Sequence, residues 1–359
     1  MVVLLIVVIS QAVFASILLF FSNKNKLSNR LLATLILIIS LWLLDNFFRI
    51  GHIYRQKPNL YFLPIFYSFA FGPLLYFYVK SLTNRDFKFK WIDALHFLPV
   101  LIQACLYIFL TFKPYAYKNW FWENIHAPYT YRIEFDGTWV SISIYTLLSF
   151  KFLRSYQLWL QDNFSETSKI KLSWLKTIIG ILLALCIQWP IEIVLRDGFG
   201  IFFEYNYSIL ILGIIALVLG IGGLKQINLA AINYKSDQGK VEKSLSIFKT
   251  DDLVLEKIRM AMEKEQCYHN PTLSLIEFAK FLALNPKVVS KNINSGFNQS
   301  FNDFVNSYRI EEVKRRLKTA DIKKMTILAI AFESGFNSKT TFHRIFKQFT
   351  GIAPSEMIE

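Results

Sequence analysis

The run VVLLIVVISQAVFASILLFF, from Val2 to Phe21, contains no charged side chain. A helix of about 20 apolar residues spans the hydrocarbon core of a bilayer, which is about 30 Å thick. No lysine or arginine precedes Lys24, and the run is longer than the apolar core of a signal peptide. We therefore interpret it as a retained first transmembrane helix.

Six further apolar runs follow before residue 225. They are Leu31–Ile50, Leu60–Val79, Ile92–Phe112, Thr138–Leu158, Ser173–Leu195 and Tyr207–Leu224. Across the whole chain 53% of the residues are apolar and 18% are charged, whereas about a quarter are charged in a soluble domain. Seven such runs leave too few polar residues to cover a large soluble protein. The sequence predicts an all-α fold that begins with seven transmembrane helices.

Lysine and arginine are distributed unevenly between the loops that join these runs. The loops on one side, together with the start of the sixth run, carry twelve, and the loops on the other side carry seven. Because cytoplasmic loops hold the excess of positive charge, we expect the N-terminus outside and everything after Leu224 in the cytoplasm. The predicted location is the inner (cytoplasmic) membrane, so the lipid bilayer is one predicted partner.

The composition changes near residue 225, where the long apolar runs end. We predict a seven-helix transmembrane sensor domain over 1–224, a cytoplasmic linker over 225–250 and a helical domain over 251–359. The net charge of +14 favours a polyanionic partner such as nucleic acid or anionic lipid. Because the seventh run alone joins the two domains in sequence, we expect it to transmit the signal.

The domain after residue 251 contains a first helix-turn-helix pattern. The helix Leu273–Leu282 is followed by a tight turn and by a second helix that begins near Lys287. Asn285 can cap this second helix, and Pro286 fits its first position, where the backbone N–H is unpaired in any case. A longer helix, Ser300–Thr319, comes next.

A second helix-turn-helix pattern follows that longer helix. The helix Ile327–Ser334 is expected to end at Gly335, and Ser338 can cap the helix Lys339–Phe349. Phe342 and Phe346 are four residues apart, as Val289 and Ile293 are in the first pattern, and such pairs face a core.

The remaining faces of the two second helices carry polar and basic side chains, which suit the major groove of DNA. An ordinary helical protein-interaction domain is the alternative interpretation of the two helix pairs. We predict a DNA-binding site formed by Lys287, Val288, Ser290, Lys291, Asn294, Ser338, Lys339, Thr340, Thr341, His343, Arg344 and Lys347.

The stretch AIAFESGFNSKTTFHRIFKQFTGIAP, from Ala329 to Pro354, resembles the signature of AraC/XylS-type transcription regulators. The resemblance covers roughly residues 251–359. It implies two helix-turn-helix subdomains joined by the Ser300–Thr319 helix, with two recognition helices in successive major grooves of double-stranded DNA. A multi-helix membrane domain followed by this module is similar to membrane-bound regulators of the Bacteroidetes type, which implies a one-component sensor.

Polar groups inside a bilayer are costly and often functional. Asp45 and Arg49 lie near the end of the second run, and Gln188 and Glu192 flank Pro190 in the sixth. One interpretation is a ligand site near the outer leaflet formed by Asp45, Arg49, Gln188 and Glu192. The other is that these groups pair with each other and serve only the structure.

The five histidines and three cysteines have no spacing typical of a metal site, and no nucleotide-binding or hydrolase motif occurs. We predict no metal, no cofactor and no enzymatic activity. The small-residue spacing Ala216–Gly220 can pack helices or a homodimer. The predicted function is a membrane-tethered, sequence-specific transcription regulator that couples an unknown signal ligand to promoter binding. The alternative is a transporter or membrane enzyme with a regulatory DNA-binding tail.

Overall fold

The computed structural model describes residues 2–84, 86–167, 170–201, 207–226, 251–318 and 325–357. Within these ranges the regular secondary structure is helical, and Phe164 forms an isolated antiparallel β-bridge with Ser274. The prediction of an all-α fold is confirmed. The chain divides into two compact units: the first holds the described residues up to Arg154 and from Leu172 to Gln226, and the second holds the rest.

The first unit is built from long apolar helices. They are α1 (Val2–Phe20), α2 (Lys26–Ile50), α3 (Phe71–Thr83), α4 (Leu98–Thr111), α5 (Tyr131–Asn163, whose end belongs to the second unit), α6 (Ser173–Phe199) and α7 (Tyr207–Lys225). By length and composition, four stretches of the described chain are able to cross a membrane: Val2–Phe20, Lys26–Ile50, Trp91–Thr111 and Ser173–Leu195. The count of seven spans remains a prediction.

The third apolar run does not form one long helix, and that expectation is wrong. Of Leu60–Val79, only the part from Phe71 onward lies in α3, and a short helical turn at 68–70 precedes it. Pro64 has no backbone N–H to donate within a helix, and Phe62 adopts the left-handed conformation with φ of 60°. The aromatic residues of this run therefore lie in an irregular loop, where they are available to line a cavity.

The small residues of α7 pack it closely against α1 and α2. A Cβ atom added at Gly220 would lie 2.9 Å from the Cβ of Ala15, and one at Gly213 would lie 2.8 Å from Val8 Cγ1. Ser16 donates a hydrogen bond of 2.7 Å from its hydroxyl to the Ala33 carbonyl, which joins α1 to α2. The small-residue spacing on α7 thus packs helices within one chain.

The second unit contains the predicted C-terminal helical domain. Its helices are α8 (Asp252–Glu263), α9 (Leu275–Phe281), α10 (Pro286–Gly296), α11 (Phe301–Leu317), α12 (Ile327–Glu333) and α13 (Lys339–Thr350). The predicted linker over 225–250 lies outside the described residues from residue 227 onward.

The helix-turn-helix domain has two separate hydrophobic cores, one in each half. The first core joins α8, α9, α10 and the start of α11, and its largest fully buried side chains are Phe278, Phe301 and Phe304. The second joins the end of α11 to α12 and α13 around Phe342 and Phe346. The long helix α11 therefore belongs to both halves, as predicted for two subdomains joined by one helix.

The described residues 155–167 and 170–171, at the end of α5 and after it, belong to the second unit. Tyr156 donates a hydrogen bond of 2.9 Å to the Ile170 carbonyl, and Gln157 donates one of 2.8 Å to the Lys171 carbonyl. The chain therefore passes between the two units at residues 154–155 and 171–172 as well as after α7, so the seventh run is not the one sequence connection, and its role in transmitting the signal stays a prediction. The sequence pattern could not reveal this, because the contacts that hold this stretch to the C-terminal domain, such as the hydrogen bond from the Ser165 hydroxyl to the Leu273 carbonyl, join residues 108 positions apart.

Candidate nucleic-acid interface and ligand cavity

The helix α13 presents a basic face to solvent. The Ser338 hydroxyl accepts the backbone N–H of Thr341 and so caps the helix, as predicted. Phe342, Ile345 and Phe346 are buried on the inner face. The exposed side chains are Lys339, Thr340, His343, Arg344 and Lys347, and Ser338 is half-buried.

The turn before α13 requires a glycine. Gly335 has φ of 96°, a backbone conformation that residues other than glycine rarely adopt. A Cβ atom at this position would clash with the Tyr268 carbonyl oxygen and would lie 2.9 Å from Arg309 Nε. The turn before α13 therefore lies close to the Tyr268 backbone and to Arg309, and a larger residue than glycine does not fit at position 335.

Thr341 departs from the expected outward orientation. Its side chain is 5% exposed, and its hydroxyl lies 3.5 Å from the Glu166 carboxylate. The expectation that Thr341 faces solvent is therefore wrong. The contact with Glu166 is long-range and involves Thr341, whereas Lys339 and Thr340 in the same turn remain exposed.

The helix α10 has the same design as α13. The Asn285 side chain accepts the Lys287 backbone N–H at 2.9 Å and caps the helix, and Val289 and Ile293 are fully buried, as predicted. On the opposite side Lys287, Val288, Lys291 and Asn294 are exposed, and Ser290 is half-buried. The structure thus places eleven of the twelve predicted DNA-binding residues at least partly in solvent, on two helices joined through α11.

A buried arginine lies where the two halves meet. Arg309 on α11 is 1% exposed and donates hydrogen bonds to the backbone carbonyls of Tyr268, at 2.8 Å, and Asn270, at 2.7 Å. Its guanidinium carbon lies 5.8 Å from the centre of the Phe336 ring, in the second core. Burial lowers the pKa of Arg309 to about 10, so the side chain remains charged at neutral pH. The local sequence pattern did not reveal this contact between the two halves.

The first unit encloses a cavity of about 400 Å³. Its walls come from α2, the irregular loop after α2, the start of α3, α4, the stretch between α4 and α5, α5, α6 and α7. Aromatic rings form much of the lining: Trp42, Tyr54, Tyr61, Phe62, Phe66, Phe71, Tyr107, Trp122, Tyr131, Phe135 and Trp189. A cavity of this size and lining is typical of a small-molecule site.

Three of the four residues predicted for a ligand site line this cavity: Asp45, Arg49 and Glu192. The Arg49 guanidinium donates to the Asp45 carboxylate at 2.7 Å, and the two residues form an ion pair. Gln188 is not among the lining residues, but its side-chain amide donates a hydrogen bond to Glu192. Structural pairing and a position on a cavity wall therefore occur together, so both interpretations of these residues stay open.

Other polar residues of the cavity were missed by the sequence argument. The Tyr54 hydroxyl donates to the Asp45 carboxylate at 2.6 Å, and the Tyr107 hydroxyl donates to the Glu134 carboxylate at 2.8 Å. Burial raises the pKa of Tyr54, and the charge of Asp45 acts in the same direction. These residues are isolated in the sequence, and no spacing pattern marks them.

His126 is a further lining residue that stays uncharged at neutral pH. Burial, together with the positive charge of Arg49, lowers the pKa of His126 from 6.5 to about 4. Its Nδ1 atom lies 2.8 Å from the Thr130 hydroxyl. Among the lining residues, Arg49 is then the cation at pH 7, beside the carboxyl groups of Asp45, Glu134 and Glu192. No group of side chains with the composition of a metal site occurs in the described part of the chain.

Comparison with known proteins identifies the C-terminal region. A family model described as a helix-turn-helix domain matches residues 278–359. The C-terminal region is an AraC-type helix-turn-helix domain. This confirms the resemblance for that part of the chain, and the match does not extend to the apolar helices.

The relatives are transcription regulators that match only part of this chain. An uncharacterised HTH-type transcriptional regulator of Staphylococcus aureus (strain COL) is 30% identical over 101 residues, which are 28% of this chain and 13% of the relative. The TCP pilus virulence regulatory protein of Vibrio cholerae serotype O1 (strain ATCC 39315) is 31% identical over 147 residues, 38% of this chain and 50% of the relative. The chain thus spans between an eighth and a half of these relatives. No solved structure gives a significant match to the chain.

Proposed function

We propose that the protein is a membrane-tethered, sequence-specific transcription regulator whose membrane domain senses a small ligand and whose AraC-type domain binds promoter DNA. The observation that carries the proposal is the pair of capped helices, α10 and α13, each buried on one face and basic on the other. The two helices pack against opposite ends of α11, in a region matched by a helix-turn-helix family model.

Double-stranded DNA is the proposed partner of the exposed faces of α10 and α13. Recognition helices that enter successive major grooves on one side of DNA are about 34 Å apart. Lys287, Lys291, Lys339 and Lys347 supply phosphate contacts, which hold the domain on DNA in a salt-dependent way. Arg344, His343 and Asn294 have side chains suited to base edges, which supply sequence preference.

The proposed tether is the set of apolar helices in the first unit. Many of their large apolar side chains face outward; Val3, for example, is 75% exposed and Phe112 is 83% exposed. Exposed apolar side chains along helices long enough to cross a bilayer are expected where lipid covers them. The uneven distribution of lysine and arginine favours an outer N-terminus and a cytoplasmic DNA-binding domain.

The proposed signal site is the cavity in the first unit. Asp45, Glu134 and Glu192 outnumber Arg49 on its walls, and the aromatic rings offer electron-rich faces. Cations are attracted to such faces and to carboxylates. The lining therefore favours a small, partly apolar ligand with a cationic group. A homodimer is a further proposal, since regulators that bind repeated DNA sites commonly act as symmetric pairs.

Two experiments test this function. Genome-wide mapping of the tagged full chain should give discrete promoter peaks, and the purified full chain in lipid nanodiscs should bind a peak fragment in preference to a scrambled one. Absence of discrete peaks and equal binding to both fragments would refute sequence-specific recognition.

The membrane topology needs a separate measurement. A reporter that is active only in the cytoplasm should be active when fused after Gln226 and silent when fused within residues 113–137. An inactive Gln226 fusion would place the DNA-binding domain on the wrong side of the membrane and so refute the tethered regulator.

A further inference from the structure

Residues 164–167, which we call the α5–α6 segment, lie against both halves of the AraC-type domain. These residues come from the loop after α5, and they belong to the second unit together with that domain. Ser165 is 1% exposed and Thr167 is 8% exposed, so the segment is packed rather than loosely attached.

The first anchor of the segment is on the first half of the domain. The Ser165 backbone N–H and hydroxyl both donate to the Leu273 carbonyl, at 3.1 and 2.7 Å. Phe164 forms an antiparallel bridge with Ser274, the residue that caps α9. The segment is thus hydrogen-bonded beside the start of the first helix-turn-helix pair.

The second anchor is α11, the helix that joins the two halves. The Asn302 side-chain amide donates to the carbonyls of Phe164, at 3.0 Å, and Ser165, at 2.8 Å. Arg309 donates to the Ser165 hydroxyl at 3.2 Å. The arginine that joins the two halves therefore also holds the segment.

The last contact is on the recognition helix of the second half. A Glu166 carboxylate oxygen lies 3.5 Å from the Thr341 hydroxyl, and Thr341 is 5% exposed. Thr341 is in the first turn of α13, where unpaired backbone N–H groups and the helix dipole attract anions. A DNA phosphate or base edge that approaches this turn meets the negative charge of Glu166.

We propose that the α5–α6 segment is an autoinhibitory element that competes with DNA for the first turn of α13. The proposal rests on the proposed DNA binding and adds its regulation. With the segment in place, Glu166 repels the phosphate backbone and Thr341 is unavailable to the groove. With the segment withdrawn, Thr341 joins the exposed residues of α13, and the charge of Glu166 no longer lies beside them.

The helices on either side of the segment give it a route to the signal. Its N-terminal neighbour, α5, carries Glu134 and Phe135 on the cavity wall, and the helix that follows it, α6, carries Trp189 and Glu192. A ligand shifts an equilibrium only through different affinities for the two states. A ligand that favours one arrangement of α5 and α6 in the cavity therefore favours one position of the segment that joins them.

The test compares DNA affinity of full-length variants in lipid nanodiscs, with a promoter fragment obtained by genome-wide mapping. Glu166→Gln removes the repelling charge, and Asn302→Ala removes two hydrogen bonds to the segment without changing either recognition helix. Glu256→Gln is the matched control, because it removes one carboxylate from the exposed surface of α8. Hydrogen exchange of the Ser165 amide reports whether the segment is in place.

We expect Glu166→Gln and Asn302→Ala each to bind the promoter about fivefold more tightly than the unmodified chain, since a released segment raises the competent fraction. The control should stay within about twofold, and Asn302→Ala should speed exchange at Ser165. Unchanged or weaker binding by both variants, with Ser165 exchange accelerated in Asn302→Ala, would overturn autoinhibition. If the unmodified chain and every variant fail to prefer the promoter fragment over a scrambled one, the proposed DNA binding itself is refuted.

Discussion

The replacement of Arg309 by methionine should uncouple the two halves of the AraC-type domain. Methionine has a similar length and fills the buried site, but it offers no donor to the Tyr268 and Asn270 carbonyls. It also loses the contacts of the guanidinium with the Asn306 side chain, at 3.2 Å, and with Ser165. The change therefore tests whether this one side chain holds the joint.

The magnitude follows from the acceptors left behind. A buried acceptor that loses its partner costs about 1–3 kcal/mol, and two backbone carbonyls are affected here. Part of this loss is offset, because methionine avoids the desolvation cost of burying the charged guanidinium. We expect a net loss of about 3 kcal/mol in the free energy of unfolding of the domain, a large share of the 5–15 kcal/mol typical of a whole domain.

Native-state hydrogen exchange of the full chain in nanodiscs measures this quantity at the slowest amides of α11 and α13. A loss of about 3 kcal/mol corresponds to exchange faster by more than a hundredfold. Arg259→Met, on the exposed surface of α8, is the control and should change the free energy by less than about 0.5 kcal/mol. A loss below about 1 kcal/mol for Arg309→Met would refute the joint, since it would mean that water or other donors replace the guanidinium.

Further predictions concern other parts of the molecule. Arg344→Ala should weaken binding of the full chain to a mapped promoter fragment at least tenfold, a cost of about 1–3 kcal/mol, while helical content by circular dichroism stays unchanged; unchanged affinity would remove Arg344 from the interface. Gly220→Ala should lower the free energy of unfolding of the first unit by about 1–3 kcal/mol, because the new methyl group meets Ala15. Gly180→Ala is the control and should leave this free energy unchanged, because no atom lies within 4 Å of the added methyl group; equal effects of the two changes would refute the close packing of α7. The first unit should lose stability as the pH falls from 6.5 towards 4, because the unfolded chain protonates His126 and the folded chain does not; His126→Gln should flatten this part of a pH-resolved unfolding series, and an unchanged slope would contradict the burial effect.

Local sequence signals predicted the helix-turn-helix halves well. Asn285 and Ser338 cap their helices, and Gly335 has the positive φ expected at the end of α12. Each of these features depends on residues within three or four positions, so the sequence pattern is enough to reveal it. The same holds for the buried pairs at i and i+4 in α10 and α13.

Hydropathy predicted apolar segments but not always their conformation. The run Leu60–Val79 is apolar throughout, yet only its second half is helical. Hydropathy reports the free energy of transferring a segment out of water, whereas Pro64 and the left-handed conformation of Phe62 prevent this segment from forming one continuous helix. The loop that results supplies aromatic walls to the cavity.

The sequence predicted only some of the residues that line the cavity, because a polar residue is noticeable in an apolar run but not in a loop. Asp45, Arg49 and Glu192 stand out because charges are rare in apolar runs, and they do line the cavity. Tyr54, Glu134 and His126 come from loops and helix ends, where polar residues are common and carry no signal. Only the folded chain brings them to the same walls.

By itself, the sequence determined the helical class, the change of composition near residue 225 and the two capped recognition helices, since all of these follow from composition and from neighbours along the chain. The tertiary structure alone decided that residues 164–167 pack with the DNA-binding domain, that Thr341 is buried and that Arg309 joins the two halves. The hydrogen bond from Arg309 to Ser165 connects residues 144 positions apart. No local pattern encodes such a pair, because its stability comes from the burial and hydrogen bonding of groups that meet only after the chain has folded.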